Sequence, residues 1–393
     1  MKITPPSIRA FRSRLNCAFL IVCVLAGATA TKAEAGYTFT LIADSTGPFS
    51  DFGVVPSPAL NALGTVAFAA RLDAGGAGVF KGNGGALTTI TTVATPPFGN
   101  PFQPPSINQA GMVAFSAGDA ILAGDGGPLV TIADTAGQFQ GFTGGYSAVI
   151  NSAGTVAFWA LPDTGPAGIF ASSGGMVTPL FLNSGSLNAN NNVAFNDVGT
   201  LAFRKSNATG IVTVNGGLVT TIVDSTGPFN YFGAAPSLSE AGTVAFVAGK
   251  NGQDGGVFGI YKGGGGALTT IADISGPFSS LGGFNFNQPS LNNSGTVAFI
   301  AGLDAGGAGI FIGDGTFTSE VIGIGYALFG STVSTVQMSP NSLNDSGEVA
   351  FWYQLANGIN GIAIASPVPE PGRASLLFGG LLAILGSRRR RMQ

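Results

Sequence analysis

Aspartate is the residue type whose placement in this chain offers the most chemistry. One set recurs in the pattern Ala/Val-Asp-x-Thr/Ser/Ala-Gly-Pro/Gln-Phe, at Asp44, Asp134, Asp224 and Asp273. A second lies in Leu-Asp-Ala-Gly-Gly-Ala-Gly, at Asp73 and Asp304, with looser versions at Asp163 and Asp254. Carboxylates displayed with loop carbonyls are ligands for Ca²⁺, or acceptors for sugar hydroxyls. The plainer alternative is that each Asp caps its own turn by accepting from nearby backbone amides. The same residue recurring at equivalent places favours that alternative.

Other chemistry is thinly provided. The chain has no His, which removes His-based triads, His general bases and most zinc or copper sites. Its two cysteines, Cys17 and Cys23, precede the repeats, so the folded part holds neither thiol nor disulfide. No stretch matches the Asp-x-Asp-x-Asp-Gly loop of an EF-hand. Gly263-Gly-Gly-Gly266 lacks the Lys-Ser/Thr of a phosphate loop and reads as a hairpin turn. Trp159 and Trp352 follow the Phe of their motifs and read as packing residues. Between Gly36 and Pro367 there are 6 Lys+Arg against 17 Asp+Glu, a net of −11. A body this acidic argues against nucleic acid as a partner. Sialidase-type propellers gather several arginines, and only Arg71 and Arg204 are available here. A metal-dependent hydrolase, which needs a central carboxylate cluster, remains the least favoured alternative.

The elements that must position these aspartates are read from an internal repeat. Asn61-Ala-Leu-Gly64-Thr-Val66-Ala67-Phe68 returns down to Asn344-Asp-Ser-Gly347-Glu-Val349-Ala350-Phe351. The motif glycines are Gly64, Gly111, Gly154, Gly199, Gly242, Gly295 and Gly347, spaced by 47, 43, 45, 43, 53 and 52 residues. With 63 Gly and 9% charged residues the chain is a poor helix former, while its Val, Thr, Phe and Gly suit short strands and tight turns. Seven units of this length predict an all-β, seven-bladed β-propeller with four strands per unit. Each unit reads as a short strand ending in Ser-Leu/Ile-Asn, the Asn-x-x-Gly turn, the Val-Ala-Phe strand, a Gly-Ile/Val-Phe strand and a Leu-Thr-Thr-Ile strand.

In the fourth unit a near-copy ending Val193-Ala194-Phe195 reads as the inner strand, and Asn196 to Phe203 as the motif proper. The segment Thr38 to Phe49 matches the fourth-strand segment Leu268 to Phe278, whereas the last unit stops after its third strand. The amino-terminal piece is therefore expected to close the ring. Under that arrangement the loops after strand four and those between strands two and three share one rim, which gathers both aspartate sets.

The two ends have a different character. Lys2, Arg9, Arg12 and Arg14, an apolar run from Leu15 to Ala28, and Ala33-Glu34-Ala35 form the three regions of a secretory signal peptide. Cleavage is expected before Gly36, with Ala28-Thr-Ala30 as a second cut. At the other end Pro369-Glu370-Pro371 precedes an apolar run from Ala374 to Gly386 and then Arg388, Arg389, Arg390 and Arg391. This closely resembles the PEP-CTERM sorting signal of Gram-negative bacteria, over residues 367–393. The resemblance implies a short transmembrane sorting helix whose basic tail stays cytoplasmic, and processing near Pro-Glu-Pro by the membrane protease-transpeptidase exosortase. An ordinary terminal anchor is the alternative. The repeats themselves resemble the bacterial choice-of-anchor proteins with NxxGxVAF tandem repeats, over most of residues 37–366. Ser239 and Asn191 depart from that pattern. That resemblance implies surface display and no particular activity.

The expected organisation is a signal peptide over 1–35, a propeller over 36–366 and a sorting signal over 367–393. The expected function is non-enzymatic: a structural or binding module of the envelope or biofilm, at the cell surface or in the extracellular matrix. Signal peptidase and exosortase are its partners during export, with exopolysaccharide a further candidate. The membrane is met through the carboxyl-terminal segment before processing. No cofactor is expected unless Ca²⁺ binds the aspartate rim, and a glycan- or Ca²⁺-binding lectin-like propeller is the alternative reading.

Overall fold

The Val/Leu-Ala-Phe run that follows each motif glycine becomes the second strand of its own antiparallel sheet, and seven such sheets form the blades of a propeller. The computed structural model describes residues 36–368 apart from 53–56, 95–103, 143–147, 185–188, 206, 251–257 and 282–287. All the described residues fall within one compact unit, Glu34–Gln393. Among them there is no helix, and none long and apolar enough to cross a membrane. The signal-peptide residues Ala33 and Ala35, the Pro369-Glu370-Pro371 motif and Arg388 to Arg391 lie outside the described residues.

The repeat specifies the blade through a few positions. In blade 1, Asn61 Oδ1 accepts the Thr65 N–H at 2.9 Å, and the Gly64 N–H returns to the Asn61 carbonyl at 3.2 Å. Gly64 sits at φ +74°, where an L side chain is strained. Strand Val66–Leu72 then pairs with Ala77–Gly82, which pairs with Thr88–Val93. Val66, Ala67 and Phe68 are all buried, because the blade is covered on both faces by its neighbours. The equivalent Phe115, Phe158, Phe203, Phe246, Phe299 and Phe351 are likewise among the most buried side chains. Each contributes ~1.5–3 kcal/mol of burial.

One strand boundary differs from the expectation. The Phe that ends each aspartate loop is not loop but the first piece of the next blade's innermost strand. Phe49–Asp51 pairs with Leu72 and Arg71 at one end of the second strand, while Ala59–Leu60 pairs with Ala67 and Val66 at the other. Blades 3, 5 and 6 divide their innermost strands in the same way. The cause is aromatic packing across three strands. Phe49 meets Phe68 and Phe80 at centroid distances of 6.0 and 5.1 Å, and Phe278 meets Phe299 and Phe311 at 5.8 and 5.0 Å. In the fourth blade the near-copy Ala189–Phe195 is the innermost strand, paired with Leu201–Lys205, as the duplication implied.

The ring closes as expected. Tyr37–Asp44 is the outermost strand of blade 7, running antiparallel to Asn360–Pro367 from Tyr37↔Pro367 to Asp44↔Gly361. Such pairing leaves no open seam between first and last blades. Near the axis, the turn Ser339–Ser342 fills the space between inner strands. Pro340 O accepts the hydroxyls of Ser237 and Ser290 at 3.0 and 2.9 Å, and the Ser339 hydroxyl donates to Pro58 O at 2.7 Å. One turn thus ties blade 7 to blades 5, 6 and 1.

Candidate functional site

Both aspartate sets lie on one rim. The Asp73 N–H donates to Pro48 O at 3.0 Å, and the Asp304 N–H to Pro277 O at 3.0 Å, so each second-to-third-strand loop rests on a neighbouring aspartate loop. The Asp163 N–H meets Gln138 O in the same way at 2.9 Å. Asp254 lies outside the described residues.

Within that rim most carboxylates serve their own turns. Asp44 Oδ1 accepts the Thr46 N–H at 2.9 Å and its hydroxyl at 2.6 Å. Asp224 does the same with Thr226, the amide at 3.0 Å and the hydroxyl also bonded, and Asp273 with Ser275. These bonds, the side-chain hydroxyl foremost, hold the Asp224 and Asp273 carboxyls below the ordinary aspartate range. Asp73 and Asp304 are exposed. Among the described residues no three His, Cys, Asp or Glu side chains come together as a metal site. The turn-capping alternative therefore accounts for Asp44, Asp224 and Asp273, and the structure does not gather the six rim aspartates around one point.

Asp134 is the exception. Ala136 stands where the other three loops have Thr or Ser, so among the described residues the Asp134 carboxylate accepts only the Ala136 N–H, at 3.1 Å. The same aspartate lines an open cleft of about 500 Å³ between blades 2 and 3, with Gln138, Phe139 and Val177.

The opposite rim carries what sequence reasoning missed. The amides of five motif Asn residues reach the main chain of the next blade: Asn61 Nδ2 donates to Asn108 O at 3.1 Å, Asn108 to Asn151 O at 3.2 Å, and Asn196 to Ser239 O at 3.1 Å. Asn292 donates to Asn344 O at 3.1 Å, and Asn344 to Asn61 O at 3.2 Å. The residue after the Asn forms a second tier. The Ser152 N–H donates to Asp197 Oδ1 at 2.6 Å, Asp197 N–H to Glu240 Oε2 at 2.9 Å, and Glu240 N–H to Asn293 Oδ1 at 2.8 Å. Glu240 titrates above its ordinary value, first because of desolvation and then through like charge on Asp197 and Asp345.

Basic side chains are used the same way. Lys81 Nζ donates to Gly111 O and Lys262 Nζ to Gly295 O, each at 2.6 Å in the next blade. Arg204 Nη1 donates to Phe232 O at 3.1 Å. Lys250 approaches Asp273 at 3.9 Å on the surface, a pair of little energetic weight. Trp159 and Trp352 pack against inter-blade cores, and Gly263 to Gly266 turn between two strands, as their sequence contexts implied.

With this geometry in place, comparison with known proteins bears on the fold. A family of unknown function, DUF7453, matches residues 187–339, from blade 4 to the axial turn. No curated protein matches. The solved oligogalacturonate lyase from Vibrio parahaemolyticus is similar at 13% identity with a TM-score of 0.53, covering 86% of this chain and 99% of that one. YCF48 from Cyanidioschyzon merolae aligns at 12% identity with a TM-score of 0.47, over 85% and 100% of the two chains. The Aleuria aurantia lectin in complex with Fucalpha1-6GlcNAc aligns at 10% identity with a TM-score of 0.40, over 70% and 97%. The likeness to the lyase is one of fold alone.

Proposed function

We propose that this chain is a non-enzymatic exported protein, sorted by its carboxyl-terminal segment and displayed at the cell surface or in the extracellular matrix of a Gram-negative bacterium. It acts there as a structural or binding module of the envelope or biofilm. In this reading signal peptidase cuts before Gly36. The run from Ala374 to Gly386, ~20 Å long as a helix against a ~30 Å hydrocarbon core, is a transient sorting span. Exosortase then processes the chain near Pro369-Glu370-Pro371.

One observation supports this most directly. The two processing junctions read from sequence flank the folded ring and do not cut into it. The Val368 N–H donates to Gly36 O at 2.8 Å, and Tyr37 pairs with Pro367. Cleavage before Gly36 and beyond Val368 therefore releases an intact propeller, with both ends at the rim that carries the motif Asn residues. Structural or binding work also agrees with side chains that mostly serve the ring: aspartates capping turns, and lysines stapling neighbouring blades.

The test is delivery. Deleting 369–393, which spares the Val368 bond to Gly36, should leave a folded protein that surface protease no longer reaches on whole cells. Unchanged surface attachment would contradict sorting by this segment.

A further inference from the structure

Three departures from the repeat converge on the cleft between blades 2 and 3. Ala136 replaces the Thr or Ser that elsewhere donates a hydroxyl to the loop aspartate. Gln138 replaces the Pro found at positions 48, 228 and 277. Val177 replaces the Leu found at positions 87, 129 and 268, so a shorter side chain stands on the blade 3 side. Singly these read as drift. In the fold, Gln138 and Val177 line the same cleft, and Ala136 leaves its carboxylate, on Asp134, with one hydrogen bond where Asp44, Asp224 and Asp273 each have two.

We propose that this cleft binds a neutral saccharide. The volume of about 500 Å³ falls within the ~300–1,000 Å³ of small-ligand sites. Asp134 offers carboxylate oxygens to sugar hydroxyls, and the exposed Gln138 amide both donates and accepts. Val177 gives a partly exposed apolar edge for the C–H face of a ring, backed by the buried Ile132 and Phe139, and Gly175 admits close backbone approach. Among the described residues no basic side chain lines the cleft, so an acidic sugar would meet the Asp134 charge uncompensated. A lone carboxylate is also a poor match for the 6–8 oxygens that Ca²⁺ takes. Exposed Val130 and Met176, adjacent in sequence to lining residues, extend the apolar surface at the mouth.

This inference rests on the propeller being a binding module, and it narrows the aspartate rim to one of its six members. The experiment is a neutral-glycan array on the purified full-length chain, followed by calorimetric titration of the best mono- or disaccharide. Asp134→Asn should weaken binding roughly tenfold or more, as expected for losing hydrogen bonds to a charged group. Val177→Leu, which restores the residue used in other blades, should do the same by filling the cleft. Ala136→Ser should weaken binding by engaging the carboxylate, while Asp224→Asn should leave it unchanged. Unaltered melting curves would show that each variant is folded. Absence of binding to any neutral saccharide would overturn the proposal, as would binding indifferent to Asp134 and Val177. Failed binding with intact surface delivery would sink the saccharide site alone and leave the export reading standing.

Discussion

The side-chain amide of Asn344 donates to the main-chain carbonyl of Asn61 at 3.2 Å, joining the seventh motif to the first across 283 residues of chain. Asn344 Oδ1 also accepts the N–H groups of Ser346 and Glu348 at 3.1 and 3.0 Å. One side chain thus builds its turn and locks the seam. Asn344→Ala should cost ~1–3 kcal/mol, the range for leaving buried polar groups unpaired. Urea unfolding would measure it. Asn357→Ala, at an exposed turn, should stay within ~0.5 kcal/mol. Equal effects would mean that the seam bond carries no stability.

The same seam depends on the strand that precedes the first motif. Deleting residues 36–44 removes the outermost strand of blade 7 and exposes Ile362 and Ile364, which are buried in the core shared with blade 1. The expected outcome is loss of a single cooperative unfolding transition by circular dichroism. An unchanged transition would contradict closure by this strand.

Phe246 is fully buried between blades 4 and 5, packed with Ala202 and Tyr261. Phe246→Ala should destabilise by ~3–5 kcal/mol. A loss under ~1 kcal/mol would show that the inter-blade space collapses readily, against the packing described here.

Closure and inter-blade packing were legible in the sequence for a simple reason. Thr38 to Phe49 is a recognisable copy of Leu268 to Phe278, and each motif Phe recurs with its Gly. The second role of the motif Asn was not legible. Its turn explains the residue locally, and the partner of its amide lies in the next repeat. The split innermost strand was hidden because Phe49 follows Gly-Pro and reads as loop; only its contacts with Phe68 and Phe80 show otherwise. The cleft was hidden because Asp134 and Val177 line one space only once blades 2 and 3 are side by side.

Stability should fall in alkali. Burial first, and then the Asp273 charge, push the Tyr261 hydroxyl from the ordinary 10.0 to about 12. Burial also raises Tyr353, whose hydroxyl has no hydrogen-bond partner among the described residues. An unfolded chain loses these protons near pH 10 while the native state holds them. The stabilisation is therefore complete below pH 10 and lost as pH rises toward about 12. Melting temperatures between pH 8 and 11.5 should decline, and Tyr261→Phe should flatten the decline. A flat profile in the parent protein would contradict the burial of both hydroxyls.

Calcium should matter little, because Asp44, Asp224 and Asp273 are already committed to their own turns. Melting temperatures in EDTA and in millimolar Ca²⁺ should coincide. A rise with Ca²⁺ would revive a metal-binding rim.

The most direct measurement of the central claim is the intact mass of the protein recovered from the surface or matrix of its producing cells. A propeller bounded by two processing events should begin at Gly36 and end beyond Val368 within or near Pro369-Glu370-Pro371, either free or carrying a transferred group. Recovery of a chain that still extends through Arg388–Arg391 would contradict the account.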